Sequence, residues 1–339
     1  MFEVFIESVL KIIIFFTVLI SSSAYLVLLE RKICAYVQDR IGPNRVGFKG
    51  LLQPLADLLK LVTKEDIVPK NANKFIHHLS PIISVAIAFS TMAVIPVGDT
   101  IEIFGKEIKL QIADVNIGIL YILSLTSISV YGIALSGWSS NNKYSLLGGL
   151  RSSAQMISYE ISMGLAIIGV VMTAGSLELD EIVKSQAGFK WNIFLQPIGF
   201  IVFLVASFAE TNRTPFDLPE AEPELVGGYH TEYSGLKFGL FFLAEYTNMI
   251  IASAIIVTLY FGGWQIPFGE NFISSSVVLS ITQIFSFLIK VGLMLFFFIL
   301  VRWTVPRFRY DQLMNVGWKI MFPLSLLNIL ITGIFYFLF

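Results

Sequence analysis

Eight stretches of about 20 mostly apolar residues recur along the chain, at roughly 4–29, 79–98, 115–136, 155–174, 193–211, 237–260, 277–301 and 318–338. A helix of that length spans the hydrocarbon of a bilayer. There the backbone must satisfy its own polar groups, which a helix does within one segment. The runs therefore predict an all-α, polytopic transmembrane bundle of eight spanning helices. Charged residues make up only 14% of the chain and hydrophobic residues 55%. An average soluble domain is about 25% charged, so no ordinary water-facing surface could be built from this composition. With a net charge of −1, the chain also lacks the basic surface that nucleic-acid binding needs. Without internal repeats or Gly/Ser linkers, residues 1–339 are predicted to form a single membrane domain. The first run is too long for a signal peptide, and Glu30-Arg31-Lys32 follows it where a small-residue cleavage site would stand.

Basic residues predict orientation, because Lys and Arg accumulate in cytoplasmic loops. Of the 23 Lys and Arg, 17 fall in the loops of one side and four in the loops of the other. Lys11 and Lys290 lie within spans. That split predicts both termini outside. The basic side includes a long loop, 30–78, where Leu51, Leu52, Leu55, Leu58, Leu59 and Val62 recur at helical spacing. Gln53, Asp57, Lys60 and Lys64 take the opposite face, and Pro54 suits a first turn. An amphipathic helix over 51–65 follows, either lying at the membrane surface or covering the bundle.

Acids within or beside the spans carry the most chemical information. Glu160, Glu210 and Glu245 all fall in the cytoplasmic half of predicted spans, and the acidic loop 212–236 adds Asp217, Glu220, Glu222, Glu224 and Glu232 on that side. Isolated carboxylates in a membrane cost about 2.5–3.5 kcal/mol even by insertion measurements. Burial and mutual repulsion raise carboxylate pKa values toward neutrality, where protons exchange at cellular pH. Structural ion pairs with Arg213 or Lys237 are the alternative use of these acids. In an extended loop Glu220, Glu222 and Glu224 would project to one side at period two. Lys290, mid-span, suits a structural partner as well as a proton path.

Redox centres are excluded by residue type. The chain has one cysteine, Cys34, whereas iron–sulfur clusters take about four ligands. None of His77, His78 and His230 lies inside an apolar run, and no GxGxxG motif marks a nucleotide site. The chain is predicted to bind no metal and to carry no electrons itself.

Several motifs match a known family. Glu30-Arg31-Lys32, Gln38-Asp39-Arg40-Ile41-Gly42-Pro43-Asn44 and Gly50-Leu51-Leu52-Gln53-Pro54-Leu55-Ala56-Asp57 resemble the first cytoplasmic loop of the H subunit of bacterial respiratory complex I. The segment Glu210-Thr211-Asn212-Arg213-Thr214-Pro215-Phe216-Asp217-Leu218-Pro219-Glu220-Ala221-Glu222, continuing through Glu224 to Tyr229, resembles that family's most specific signature. Arg151-Ser152-Ser153-Ala154-Gln155, Ile157-Ser158-Tyr159-Glu160 and Arg307-Phe308-Arg309-Tyr310-Asp311-Gln312-Leu313 extend the resemblance over nearly the whole chain. The outer loop around 97–113 matches poorly.

The resemblance implies a membrane subunit of a proton-pumping NADH:quinone oxidoreductase in a bacterial inner membrane. It implies quinone, ubiquinone or menaquinone, as substrate. It places NADH, FMN and the iron–sulfur clusters in partner subunits of the peripheral arm. It assigns Arg31, Arg40 and Asp57 to the quinone chamber, and Glu160, Glu210, Asp217, Glu220, Glu222, Glu224 and Glu245 to proton transfer. The implied partners are the other complex I subunits, quinone and membrane lipid, with no nucleic acid. Two other classes stay open at this stage. A hydrogenase-type membrane subunit shares this ancestry. A secondary transporter would show paired half-repeats with broken helices, and none is visible.

Overall fold

The long apolar runs fold as long helices. The computed structural model describes residues 2–103, 106–188, 190–218, 222–266 and 276–338. Glu220 and the side chain of Glu222 lie outside the described residues. In chain order the elements begin with α1 (Phe2–Val37), α2 (Gln53–Thr63) and α3 (Lys74–Met92). The hairpin strands β1 (Thr100–Ile103) and β2 (Lys106–Lys109) follow, then α4 (Gly118–Ser139), α5 (Lys143–Ala174), α6 (Leu179–Ser185), α7 (Asn192–Leu195) and α8 (Pro197–Glu210). The rest are α9 (Glu222–Leu225), α10 (Gly235–Tyr260), α11 (Ser276–Thr304), α12 (Tyr310–Asn315) and α13 (Phe322–Leu338).

Among the described residues, seven helices are long and apolar enough to cross a membrane, where eight were expected. The difference is the fifth. With 14 residues, α8 is about 21 Å long, short of a hydrocarbon core of about 30 Å. Pro197 explains this. Proline lacks an N–H and suits only a first turn, so it opens α8 and leaves Asn192–Leu195 as a separate turn.

Other boundaries moved in both directions. Helix α1 runs on to Val37, so the connector of the first loop is shorter than 30–78. The amphipathic helix is Gln53–Thr63, inside the expected 51–65. Helix α5 starts at Lys143, because Asn142 caps it by accepting from the Tyr144 N–H at 2.9 Å. Gly175, in the left-handed conformation at φ 70°, closes it. The loop around 97–113 holds the only strands among the described residues, an antiparallel hairpin pairing Thr100 with Lys109.

Small residues let the helices approach closely, as membrane bundles require. A Cβ on Gly132 of α4 would stand 2.3 Å from Ser84 Oγ of α3. One on Gly137 would stand 2.5 Å from the Ser145 carbonyl oxygen of α5. Helix α10 is the most enclosed of the seven spanning helices. Its Ile256 and Tyr260 are fully buried with Tyr159 of α5 and Phe203 of α8. Between α12 and α13 the helix widens into a π turn, Val316–Met321. Pro323, without an N–H, stands just behind it and denies the ordinary i−4 bond there.

Candidate functional site

Two acids on neighbouring helices face a single crevice. Glu210, at the end of α8, and Glu245, in α10, line a space of about 390 Å³ with Ser84, Ser129, Asn212, Tyr229 and Asn248. The Tyr229 hydroxyl donates to Glu245 Oε1 at 2.8 Å. Tyr229 is held there by a close contact: a Cβ on Gly148 of α5 would stand 2.7 Å from Gly228 Cα. Only a glycine at position 148 lets the turn sit against α5 in this way. Glu160 lies outside this lining. It faces α4, where the Ser127 hydroxyl donates to it, and it is near enough to Glu210 to act on it through space.

The segment after α8 is buried although it is irregular and polar. Asn212, Arg213, Thr214 and Asp217 are all buried. Gln155 of α5 holds the segment by donating to the carbonyls of Ala209 at 2.7 Å and Phe216 at 2.9 Å. Asn212 takes φ 50°, a conformation that asparagine tolerates better than most residues. Asp217 pairs with Arg307 at 3.1 Å. Burial nevertheless pushes its carboxyl up to about 6, against the pull of Arg307. Arg213 stacks on the Tyr246 ring at 4.3 Å and approaches Glu30 at 3.8 Å.

Glu30 was missed as a site residue. It is buried, and it also pairs with Arg302 at the end of α11. In sequence it is only the acid that ends an apolar run beside two basic residues. The signal available was Arg213 and Arg302, two basic residues at span ends, each needing a counter-charge. Tyr229, Ser129 and Asn248 carry no charge, so the sequence does not mark them.

On the acidic loop, Glu222–Leu225 forms a helical turn instead of extended chain. Positions 222 and 224 are therefore about 200° apart around the helix axis, and the one-sided projection expected for them does not hold. Glu224 pairs with Arg151 at 2.7 Å and is half exposed. It stands apart from the Glu210–Glu245 crevice.

Arg31 and Asp57 come together at 2.7 Å, with Gln53 also donating to Asp57 at 2.9 Å. Arg40 does not join them. It donates to Gln38 at 2.7 Å and to Cys34 Sγ at 3.3 Å. The pair sits where α2 meets α1. At its other end α2 is anchored on α10, where a Cβ on Gly239 would stand 2.9 Å from Leu61. Lys237 also reaches Asp66 there, at 2.8 Å. Leu51, Leu52, Leu55, Leu58, Leu59 and Val62 are all exposed. The apolar face of α2 thus points away from the protein.

Lys290 makes the contacts of a structural partner. Its ammonium donates to the carbonyls of Phe261, Gly263 and Gln265 at 2.7–3.0 Å and lies 4.9 Å from the Trp191 ring. These carbonyls follow the C-terminus of α10, where Gly262 and Gly263 take positive φ and a cation is favoured. His77 is stacked on Tyr233, ring centroids 4.0 Å apart.

Residues 10–333 match the family model described as NADH dehydrogenase. The chain is 53% identical to H subunit 1 of the NADH-quinone oxidoreductase of Cytophaga hutchinsonii, over 98% of this chain and 97% of that one. It is 50% identical to the NADH-quinone oxidoreductase H subunit of Flavobacterium psychrophilum, over 98% of both. With NADH-quinone oxidoreductase subunit 8 of Rhodothermus marinus it shares 54% identity over 92% of both. Matches this close and this complete show that the chain belongs to the H-subunit family of NADH-quinone oxidoreductase.

Proposed function

We propose that this subunit forms the access path and part of the wall of the quinone chamber in a proton-translocating NADH-quinone oxidoreductase, and begins its proton-coupling route. It would do so in a bacterial inner membrane, both termini outside, where the membrane arm meets the peripheral arm. NADH, FMN and iron–sulfur clusters then belong to partner subunits, and the quinone is ubiquinone or menaquinone.

The shared crevice of Glu210 and Glu245 is the observation that carries this reading. Two carboxylates facing one crevice, with Asn248 lining it and the Tyr229 hydroxyl beside Glu245, supply two proton acceptors and a hydrogen-bonding partner within one space. Glu160 and Asp217 extend the acidic route, with Glu220, Glu222 and Glu224 of the acidic loop as its further members. Access for quinone is supported by α2, wedged between α1 and α10 with its leucines turned outward. A long-tailed apolar molecule can slide along that face and meet Arg31 and Asp57 at its foot, with Arg40 a further basic group of the same loop. Reduction of the head group takes up protons and adds negative charge. Asp217, poised at about 6 and paired with Arg307, responds to such a charge because its two protonation states are close in energy.

Glu160→Gln and Glu210→Gln test the route, since glutamine keeps size and hydrogen bonding but carries no exchangeable acid proton. The assembled complexes should lose about tenfold or more in quinone-linked NADH oxidation and proton pumping. Loss of complex on native gels, with normal turnover in what remains, would identify these acids as structural instead.

A further inference from the structure

The Glu210–Glu245 crevice continues past Glu210, and its character changes there. A second space, about 550 Å³ counted to its open mouth, shares Ser129, Glu210, Thr211 and Asn248 with the first. From these residues it runs toward the face of the bundle that carries the β1–β2 hairpin. Along that stretch the walls are Ile122, Met163, Ile167, Phe203, Ile251 and Ile255. From Asn248 to Ile255 along α10 is about 10 Å at 1.5 Å per residue.

The hydroxyls beside this stretch offer little to a water chain. Thr91 donates to the Ile87 carbonyl at 2.9 Å, Ser207 to Phe203 at 2.8 Å and Thr211 to Ser207 at 2.9 Å. Thr126, which also lines this space, donates to the Leu123 carbonyl at 2.9 Å; each of these hydroxyls gives its single proton to its own helix and keeps only acceptor capacity toward a water. A water in a protein cavity needs two to four polar partners, and isoleucine and phenylalanine walls supply none. Past Glu210 the space therefore offers a water only these acceptor oxygens among apolar walls.

We propose that Ile122, Ile167, Phe203, Ile251 and Ile255 form a proton seal that prevents a proton on Glu210 from passing straight through this subunit to the hairpin face. The seal gives the route its direction: a proton at Glu210 must move sideways, toward Glu245 or Glu160, and not across. This rests on the reading of Glu210 as a proton-carrying group.

The test uses the purified, assembled complex in liposomes, with a pH gradient imposed, the membrane potential clamped, and no NADH. Ile122→Ser and Ile255→Ser place hydroxyls in the seal; Ile122→Thr and Ile255→Thr do so with little change of shape, should the serine variants not assemble. The gradient should decay about tenfold faster than with the unaltered complex, a drop in barrier that one added hydrogen-bonding foothold can supply. NADH:quinone turnover should stay near normal. Unchanged decay in the assembled variants overturns the seal. Adding Glu210→Gln to a leaking variant separates the two ideas. Suppression of the leak supports both. A leak that persists upholds the apolar barrier but removes Glu210 as the group that feeds it, and with it the reading of Glu210 above.

Discussion

Tyr229 donates a 2.8 Å hydrogen bond to Glu245, joining the loop that follows α9 to the centre of α10. The bond is half-buried and sets a hydroxyl beside the carboxyl in the crevice. Tyr229→Phe should leave assembly intact but slow quinone-linked turnover and pumping about tenfold. Measuring both in the same vesicles checks this, and normal rates would show the bond to be only structural.

Arg31 and Asp57 form an ion pair exposed at the foot of α2. Exposed pairs contribute about 0–1 kcal/mol, so their loss should not unfold the subunit. Asp57→Asn and Arg40→Ala should instead depress quinone reduction. Electron transfer from NADH to an artificial acceptor through the peripheral arm should survive. If both activities fall together in a fully assembled complex, these residues do not belong to quinone binding.

Gly148 is pressed against the Gly228–Tyr229 backbone, with 2.7 Å from its would-be Cβ to Gly228 Cα. Backbone cannot swing aside as a side chain does. Gly148→Ala should destabilise by about 1–3 kcal/mol, the usual cost of overpacking, and should displace Tyr229 from Glu245. Gly164→Ala, on the same helix with nothing within 4 Å, is the control and should be neutral or slightly stabilising. Thermal retention of the subunit in detergent-purified complex distinguishes them.

Asp217 has its carboxyl raised by burial to about 6. Between the unfolded value near 3.8 and about 6, the native state binds more protons than the unfolded one. The group's contribution to stability is therefore fully present below the unfolded value and is lost as pH rises through about 6. Arg307→Gln removes a charge that favours the carboxylate, so the midpoint should move to higher pH. Infrared titration of the protonated-carboxyl band, with Asp217→Asn as the blank, reads that shift. A midpoint that falls instead would contradict the 3.1 Å pairing with Arg307.

What the sequence made legible follows from length scales. An apolar run of about 20 residues has few folds open to it in a membrane, so the spanning helices could be counted before their packing was known. The count failed only at α8, where Pro197 fixes a start that hydropathy does not register. Candidate acids stand out in the sequence where a charge lies in apolar surroundings, as with Glu160, Glu210 and Glu245. They were not legible where the partner is remote in the chain. Glu30 meets Arg213 and Arg302 from 183 and 272 positions away. Lys290 sits alone in an apolar run, and only the fold brings three carbonyls from beyond α10 to it. Ser129 and Asn248 carry no charge, so nothing in their spacing marks them as lining a crevice.

Helix α1 has a mechanical consequence of its own. Its 36 residues extend about 54 Å, far more than a bilayer core of about 30 Å, so its tilt answers to membrane thickness. Arg31 rides near one tip of this rod, while its partner Asp57 is fixed to α2 and, through Leu61, to α10. A thicker or thinner bilayer swings the tip against a stationary anchor, as a lever turns on its fulcrum. The lipid itself thereby becomes an input to the spacing of the Arg31–Asp57 pair.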